Sequence, residues 1–214
     1  MNYPYLLSVR LMVFNHESYI REAIEGILKQ KTTFPIEVVV GDDFSTDKSL
    51  EIIKQYQSTS TIHFKILDRK VGDSYWENRQ KLGRLHNFYN ILENCSGKYI
   101  ALLDGDDFWT DSSKLQKQVD FLENNPDFAI CFHNMKILNE SNPSAIEFSN
   151  SKDQDSVTNI LNLASKGNYI FTASVVYRKP KDGFPNWLLD LPIGDYALHL
   201  FNVIRCSWLL IGMH

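Results

Sequence analysis

Three cysteines in 214 residues, Cys95, Cys131 and Cys206, are too few and too widely spaced for a disulfide framework or a CxxC-type metal site, so reduced thiols in a cytosolic setting are expected. Excess positive charge is absent as well. With 22 basic and 26 acidic side chains the net charge is -4, which argues against a protein that grips nucleic acid mainly through phosphate contacts. No apolar run is long enough to cross a bilayer. The start, Met1-Asn2-Tyr3-Pro4-Tyr5, carries no basic stretch, and the apolar residues after it soon meet Arg10, so no signal peptide is evident. Repeats and low-complexity tracts are missing, and so is the GxGxxG of a dinucleotide-binding dehydrogenase. What is present is 43% hydrophobic and 13% aromatic residues, which rules out a disordered chain. A chain of this length buries roughly 70% of its unfolded surface in one domain without needing staples.

Strand-like and helix-like patterns alternate through the first two thirds. Leu6–Val13 reads as a strand, and Ile20, Ala23, Ile24, Ile27 and Leu28 recur at helical spacing within 19–30. The β-branched run Ile36–Val40 reads as a strand buried on both faces of a parallel sheet. A helix over 48–57, a strand over 63–67, an unpatterned glycine-containing stretch over 68–77 and a helix from Leu85 to about Ser96 follow. Next come a strand over 98–103 and a helix that starts at Asp111-Ser112-Ser113 and ends at Asn124-Asn125-Pro126. Residues 139–158, rich in Ser, Asn and Asp, read as a long excursion, 169–177 as a strand pair or one bent strand, and 193–204 as a helix. The alternation predicts an α/β domain with a mostly parallel sheet, whose ligands sit at the carboxyl ends of the strands.

Two acidic clusters fall at such ends: Asp42-Asp43 after Val38-Val39-Val40, and Asp104-Gly105-Asp106-Asp107 after Ile100-Ala101-Leu102-Leu103. Three carboxylates in four positions repel one another unless they are solvated or hold a cation. Oxygen ligands with open positions suit Mg²⁺ or Mn²⁺, which would draw in a diphosphate despite the chain's negative charge.

The segments Val9–Asn15, Gly41–Asp47 and Gly97–Asp107 together resemble, in order and context, the successive motifs of family 2 glycosyltransferases of the GT-A fold. The resemblance runs from about Leu7 to about Phe132 and returns at Ile193-Gly194-Asp195. It implies a single three-layer α/β/α, Rossmann-like domain over 1–214. Residues 1–107 would form the nucleotide-sugar half and 108–214 the acceptor half. The resemblance places Phe14 against the nucleotide base, with Asn15 and Glu17 nearby. It makes Asp42-Asp43 the pair that hydrogen-bonds uracil or its ribose, a carboxylate being able to accept the imide N–H. Asp104-Gly105-Asp106 becomes the DxD motif: Asp104 lies near the ribose or metal, Asp106 ligates Mn²⁺ or Mg²⁺, and Asp107 is a further ligand. Arg79, Lys81 and Arg84 fall where the family often sets diphosphate-facing cations, with solvated surface as the alternative. Asp195 resembles the base of inverting members, which takes the acceptor hydroxyl's proton as that oxygen attacks the anomeric carbon. Many members carry Glu-Asp there, and this chain has Gly194-Asp195. His133 and His214 are ambiguous between sugar contact, metal ligation and a structural role.

The implied activity is inverting, metal-dependent transfer of a sugar from a nucleotide donor, UDP preferred, to a glycan or lipid-linked hydroxyl in surface polysaccharide assembly. Two alternatives stand beside it. One is a non-catalytic nucleotide-sugar-binding module. The other is a DxD phosphatase, although there the motif follows the first strand and is closed by Thr or Val, whereas here Phe108 closes it after a later strand. A cytoplasmic location, at the inner face of the membrane when the acceptor is lipid-linked, is expected, with any membrane contact peripheral and a homo-oligomer left open. Only 19 positions follow Asp195 (214 minus 195), and family members usually continue with further acceptor-side elements, so a C-terminally truncated catalytic domain is expected.

Overall fold

The computed structural model describes residues 3–142, 147–151 and 155–205, and the backbone of Trp208–Ile211; Cys206 and His214 lie outside the described residues. The first strand, β1 (Tyr5–Val13), alternates: Leu7, Val9, Leu11 and Val13 face one side of the sheet, and Ser8, Arg10 and Met12 the other. Helix α1 (Ile20–Leu28) leads to β2 (Ile36–Asp42), which is buried along its whole length as its β-branched run predicts. After α2 (Ser49–Ile53) and β3 (Ile62–Ile66) come α3 (Ser74–Leu82), α4 (Leu85–Asn94) and β4 (Gly97–Asp104). The remaining helices are α5 (Lys114–Asn124), α6 (Ile160–Lys166) and α7 (Gly194–Ile204). The remaining strands are β5 (Phe128–Phe132), β6 (Lys136–Ile137), β7 (Glu147–Phe148), β8 (Val157–Thr158), β9 (Val176–Arg178) and β10 (Trp208–Ile211).

Among the described residues eight strands form one sheet in the order β3-β2-β1-β4-β9-β5-β10-β8. Six point the same way, and β8 and β9 oppose them. Residues of α1, α2 and α5 pack with Leu7, Val9 and Leu11 on one face; residues of α4, α6 and α7 pack with Ile100, Leu102, Ile130 and Phe132 on the other. The result is a three-layer α/β/α domain with a mostly parallel central sheet.

Two stretches depart from the sequence reading. Within and beyond 68–77 the chain forms α3, where Asp73 caps Trp76 N at 2.7 Å. Tyr75 is its only buried residue, so the helix leaves no apolar stripe to read. The stretch 169–177 is a 3₁₀ turn, Thr172–Ser174, running into β9 rather than a strand pair.

Candidate active site at the carboxyl edge of the sheet

Register brings the strand ends together: Val13 lies beside Asp42 across β1 and β2, and Met12 beside Asp104 across β1 and β4. The loops that follow β1 and β2 are stitched to each other. Asn15, at a left-handed φ of 55°, accepts Thr46 N at 2.7 Å through Oδ1 and donates its own N–H to Ser45 Oγ at 2.9 Å. Glu17 Oε2 accepts Lys48 N at 2.9 Å, and Asp47 Oδ2 accepts Glu17 N at 2.9 Å. The side chains of Asn15 and Glu17 are thus engaged in shaping the loop. Phe14, between them and the strand, is 52% exposed and free to present its ring.

Asp42 and Asp43 are both buried, for different reasons. Asp42 closes its own turn, accepting Ser45 N at 3.0 Å and Ser45 Oγ at 2.5 Å, the capping chemistry expected of Asp before Ser. Asp43 is held from α3: Arg79 Nε reaches its two oxygens at 2.7 and 3.0 Å, and the Tyr75 hydroxyl donates at 3.0 Å. Arg69 stacks on Tyr75 with Cζ 3.8 Å from the ring centroid and donates to Asp42 O at 2.9 Å and Asn87 Oδ1 at 2.6 Å. Burial pushes the Tyr75 phenol well above its ordinary range, so it remains a donor. Lys81 and Arg84 are exposed.

The DxD segment is built around a buried cation. Arg10, fully buried in β1, donates through Nη2 to Asp104 Oδ1 at 2.8 Å and lies over the Phe88 ring at 4.5 Å. Its Nε and Nη1 have no partner among the described residues. Burial pushes the Asp104 carboxyl up, and Arg10 opposes that shift. Asp106 stays 54% exposed with His16 Nε2 3.8 Å from its Oδ2. Asp107 is pushed up to about 6, first by burial and then by the charges of Asp106 and Asp104. At Gly105 a Cβ would stand 2.7 Å from His16 Nδ1, so glycine is required here by the packing of the β1 loop.

Among the described residues no group of three or more acidic, histidine or cysteine side chains is arranged to hold an ion on its own. The donor chemistry still fits a magnesium- or manganese-type ion, which keeps waters and phosphate oxygens beside one or two carboxylates. Among the described residues Asp107 has no ion-pair partner and Asp106 has only His16 at 3.8 Å, whereas Asp104 is engaged by Arg10.

Asp195 stands in the first turn of α7, after an Ile193 cap that gives no side-chain bond. It is half-buried. Its Oδ1 accepts Tyr196 N at 2.7 Å, and its Oδ2 accepts Thr172 Oγ1 at 3.2 Å and Asn168 Nδ2 at 3.3 Å. Gly194 has a packing reason: a Cβ there would meet Leu85 at 3.0 Å and Phe88 at 3.2 Å, and its carbonyl accepts the Tyr89 hydroxyl at 3.4 Å. Phe88 therefore touches Arg10 on one side and lies against Gly194 on the other, joining the Asp104 and Asp195 elements through one ring.

Sequence reasoning missed Arg10, His16, Phe88 and Thr172 as site residues. A charged residue inside an otherwise apolar strand was the available signal for Arg10. His133, directly after β5, has Nδ1 2.8 Å from Asn134 O, and burial pushes its pKa down to about 4.

The α/β domain has the GT-A fold, as its match to solved structures shows. TarS of Staphylococcus aureus in complex with UDP-GlcNAc aligns over 97% of this chain and 59% of its own, with a TM-score of 0.62 and 21% identity. A mannosyltransferase of Pyrobaculum calidifontis in complex with GDP-Man and Mn²⁺ aligns over 99% of this chain and 55% of its own, with a TM-score of 0.63 and 16% identity. The family model for glycosyl transferase family 2 matches residues 8–206, and the chain belongs to that family. An uncharacterized protein of Mycobacterium tuberculosis is 34% identical over 200 residues, 92% of this chain and 54% of its own length. A UDP-Glc:alpha-D-GlcNAc-diphosphoundecaprenol beta-1,3-glucosyltransferase of Escherichia coli, WfaP, is 30% identical over 118 residues, 55% of this chain and 41% of its own. The chain spans about half the length of the curated relatives it matches. Membership of a transferase family displaces the phosphatase alternative.

Proposed function

We propose that this chain carries the catalytic core of an inverting, metal-dependent glycosyltransferase. It would move a sugar from a nucleotide donor, UDP preferred, to a hydroxyl of a glycan or lipid-linked acceptor in surface polysaccharide assembly. The observation that carries the reading is the placement of Phe88, whose ring lies 4.5 Å from Arg10, the partner of Asp104, and also packs beside Gly194, the neighbour of Asp195. The UDP and UDP-GlcNAc complexes of TarS and the activity that the Escherichia coli relative is named for support a UDP-sugar donor and a lipid-diphosphate-linked acceptor.

Each residue then has a task. Phe14 offers an exposed ring for the base to stack on, while Asn15, Glu17 and Asp42 fix the loop beneath it. Asp43 keeps acceptor capacity beyond its bonds to Arg79 and Tyr75, enough to take a base N–H. Asp104, oriented by Arg10, faces the ribose. Asp106 and Asp107 would hold the divalent ion, which when bound stabilises charge on the departing diphosphate. Asp195 takes the proton of the acceptor hydroxyl as it attacks, and the anomeric configuration inverts because attack comes from the side opposite the diphosphate.

Release of nucleoside diphosphate from a panel of UDP- and GDP-sugars, with Mn²⁺ and with chelator, tests the reading. Turnover or binding confined to UDP-sugars and dependent on metal is expected. Equal response to every nucleotide, or indifference to the metal, would refute it.

A further inference from the structure

We propose that Thr172, assisted by Asn168, is the positioning residue of the transfer site, fixing the Asp195 carboxylate through Oδ2; this rests on Asp195 being the base. The carboxylate is surrounded by neutral donors: the Thr172 hydroxyl, the Asn168 amide and the Tyr196 N–H. The groups with titratable side chains that face it are also neutral. His199, one turn along α7, is fully buried, and burial pushes its pKa down to about 4. Tyr89 on α4 bonds the Gly194 carbonyl, and Tyr196 bonds the Leu163 carbonyl at 3.1 Å. Among the described residues Asp195 has no ion pair. A cationic partner would stabilise the carboxylate against taking a proton more strongly than neutral donors do, whereas neutral donors can hold its orientation.

The turn that carries Thr172 is anchored from the metal side of the edge. Trp109, two residues after Asp107, donates Nε1–H to Ala173 O at 2.8 Å. Gln118 of α5 donates to Ser174 O at 2.9 Å, and Ser174 Oγ donates to Phe171 O at 2.6 Å. Leu102 N of β4 donates to Val175 O at 3.3 Å. The stretch from β4 to Trp109, which carries Asp106 and Asp107, thus also holds the turn that aims the base. A threonine whose neighbours are pinned on three sides presents its hydroxyl at little entropic cost.

The test uses the full chain with UDP-GlcNAc and Mn²⁺, reading UDP release, donor KM and UDP affinity. Thr172→Val is expected to lower kcat about fivefold, the size of one lost hydrogen bond, with donor KM and UDP affinity unchanged. Thr172→Ser restores kcat. In the Asp195→Asn background Thr172→Val causes no further loss. Asp195→Asn inactive with Thr172→Val fully active overturns the inference alone; Asp195→Asn with full turnover overturns the base assignment and the inference together. If the wild-type chain shows no turnover, thermal unfolding of the two single variants and the double decides. Non-additive losses support the contact, and additive losses overturn it.

Discussion

The stretch from Tyr5 to Asp107 fixes Asp42, Asp43 and Asp104 with partners of opposite charge or with its own turns, while the stretch from Phe128 to Ile204 fixes its one site carboxylate with neutral donors. Asp104 has Arg10, Asp43 has Arg79 and Asp42 has Ser45. Asp195 has Thr172, Asn168 and a backbone N–H. The elements differ too: β1, β2 and β4 span seven to nine residues, whereas β6, β7 and β8 have two each. The contrast fits a division of labour in which the donor side is preformed and the transfer side orients one carboxylate with neutral donors alone. Damage to the first stretch should therefore show in folding, and damage to the second in turnover.

Breaking the Arg10 pair should give the largest effect. Arg10→Met leaves the half-buried Asp104 without its cation and should cost about 3 kcal/mol by urea unfolding. Arg10→Met with Asp104→Asn should recover most of that stability while UDP binding stays impaired. A single variant as stable as wild type would show that the pair does not organise the strand ends.

Acid should act on the two stretches in opposite directions. Burial holds His133 and His199 at about 4, below the ordinary histidine value of 6.5. The unfolded chain therefore takes up their protons first. Their contribution to stability is present above pH 6.5 and lost as pH falls toward 4, by about 1.4 kcal/mol per pH unit for each proton. Asp107 runs the other way: with its pKa raised from 3.8 to about 6, its contribution is present below pH 3.8 and lost as pH rises through 6. His199→Leu should flatten the acid limb of a stability profile by about one proton. An unchanged slope would place the acid sensitivity elsewhere.

Gly194→Ala tests the seam between the stretches. Its Cβ would press on Leu85 and Phe88, so a loss of about 1–2 kcal/mol is expected, with turnover falling further than UDP affinity. Phe14→Ala should change stability least, within about 0.5 kcal/mol, because the ring is half exposed. It should weaken UDP binding by about 1–3 kcal/mol, the worth of one base stacked on an aromatic ring. Calorimetry separates the two quantities.

The strands and helices legible in the sequence were those with an apolar period: β1, α1, β2, α5 and α7 all stand within a few residues of where periodicity puts them. Helix α3 was illegible because it buries only Tyr75 and is held by the Asp73 cap and the Arg79 pair with Asp43. The acidic clusters could be read as edge residues because they follow apolar strands. What holds them could not, since Arg10 and Asp104 lie 94 positions apart and Thr172 and Asp195 lie 23 apart. Pairings of that range are set by sheet order and helix placement, which local pattern does not encode.

The central claim is that donor capture and proton removal are separate tasks of one sheet edge. Calorimetric titration of UDP into wild type, Asp106→Ala and Asp195→Asn, with and without Mn²⁺, alongside UDP release from UDP-GlcNAc, tests it most directly. Mn²⁺-dependent UDP binding is expected in wild type and Asp195→Asn, none in Asp106→Ala, and UDP release in wild type alone. Metal-dependent binding that survives Asp106→Ala, or undiminished release by Asp195→Asn, would contradict it.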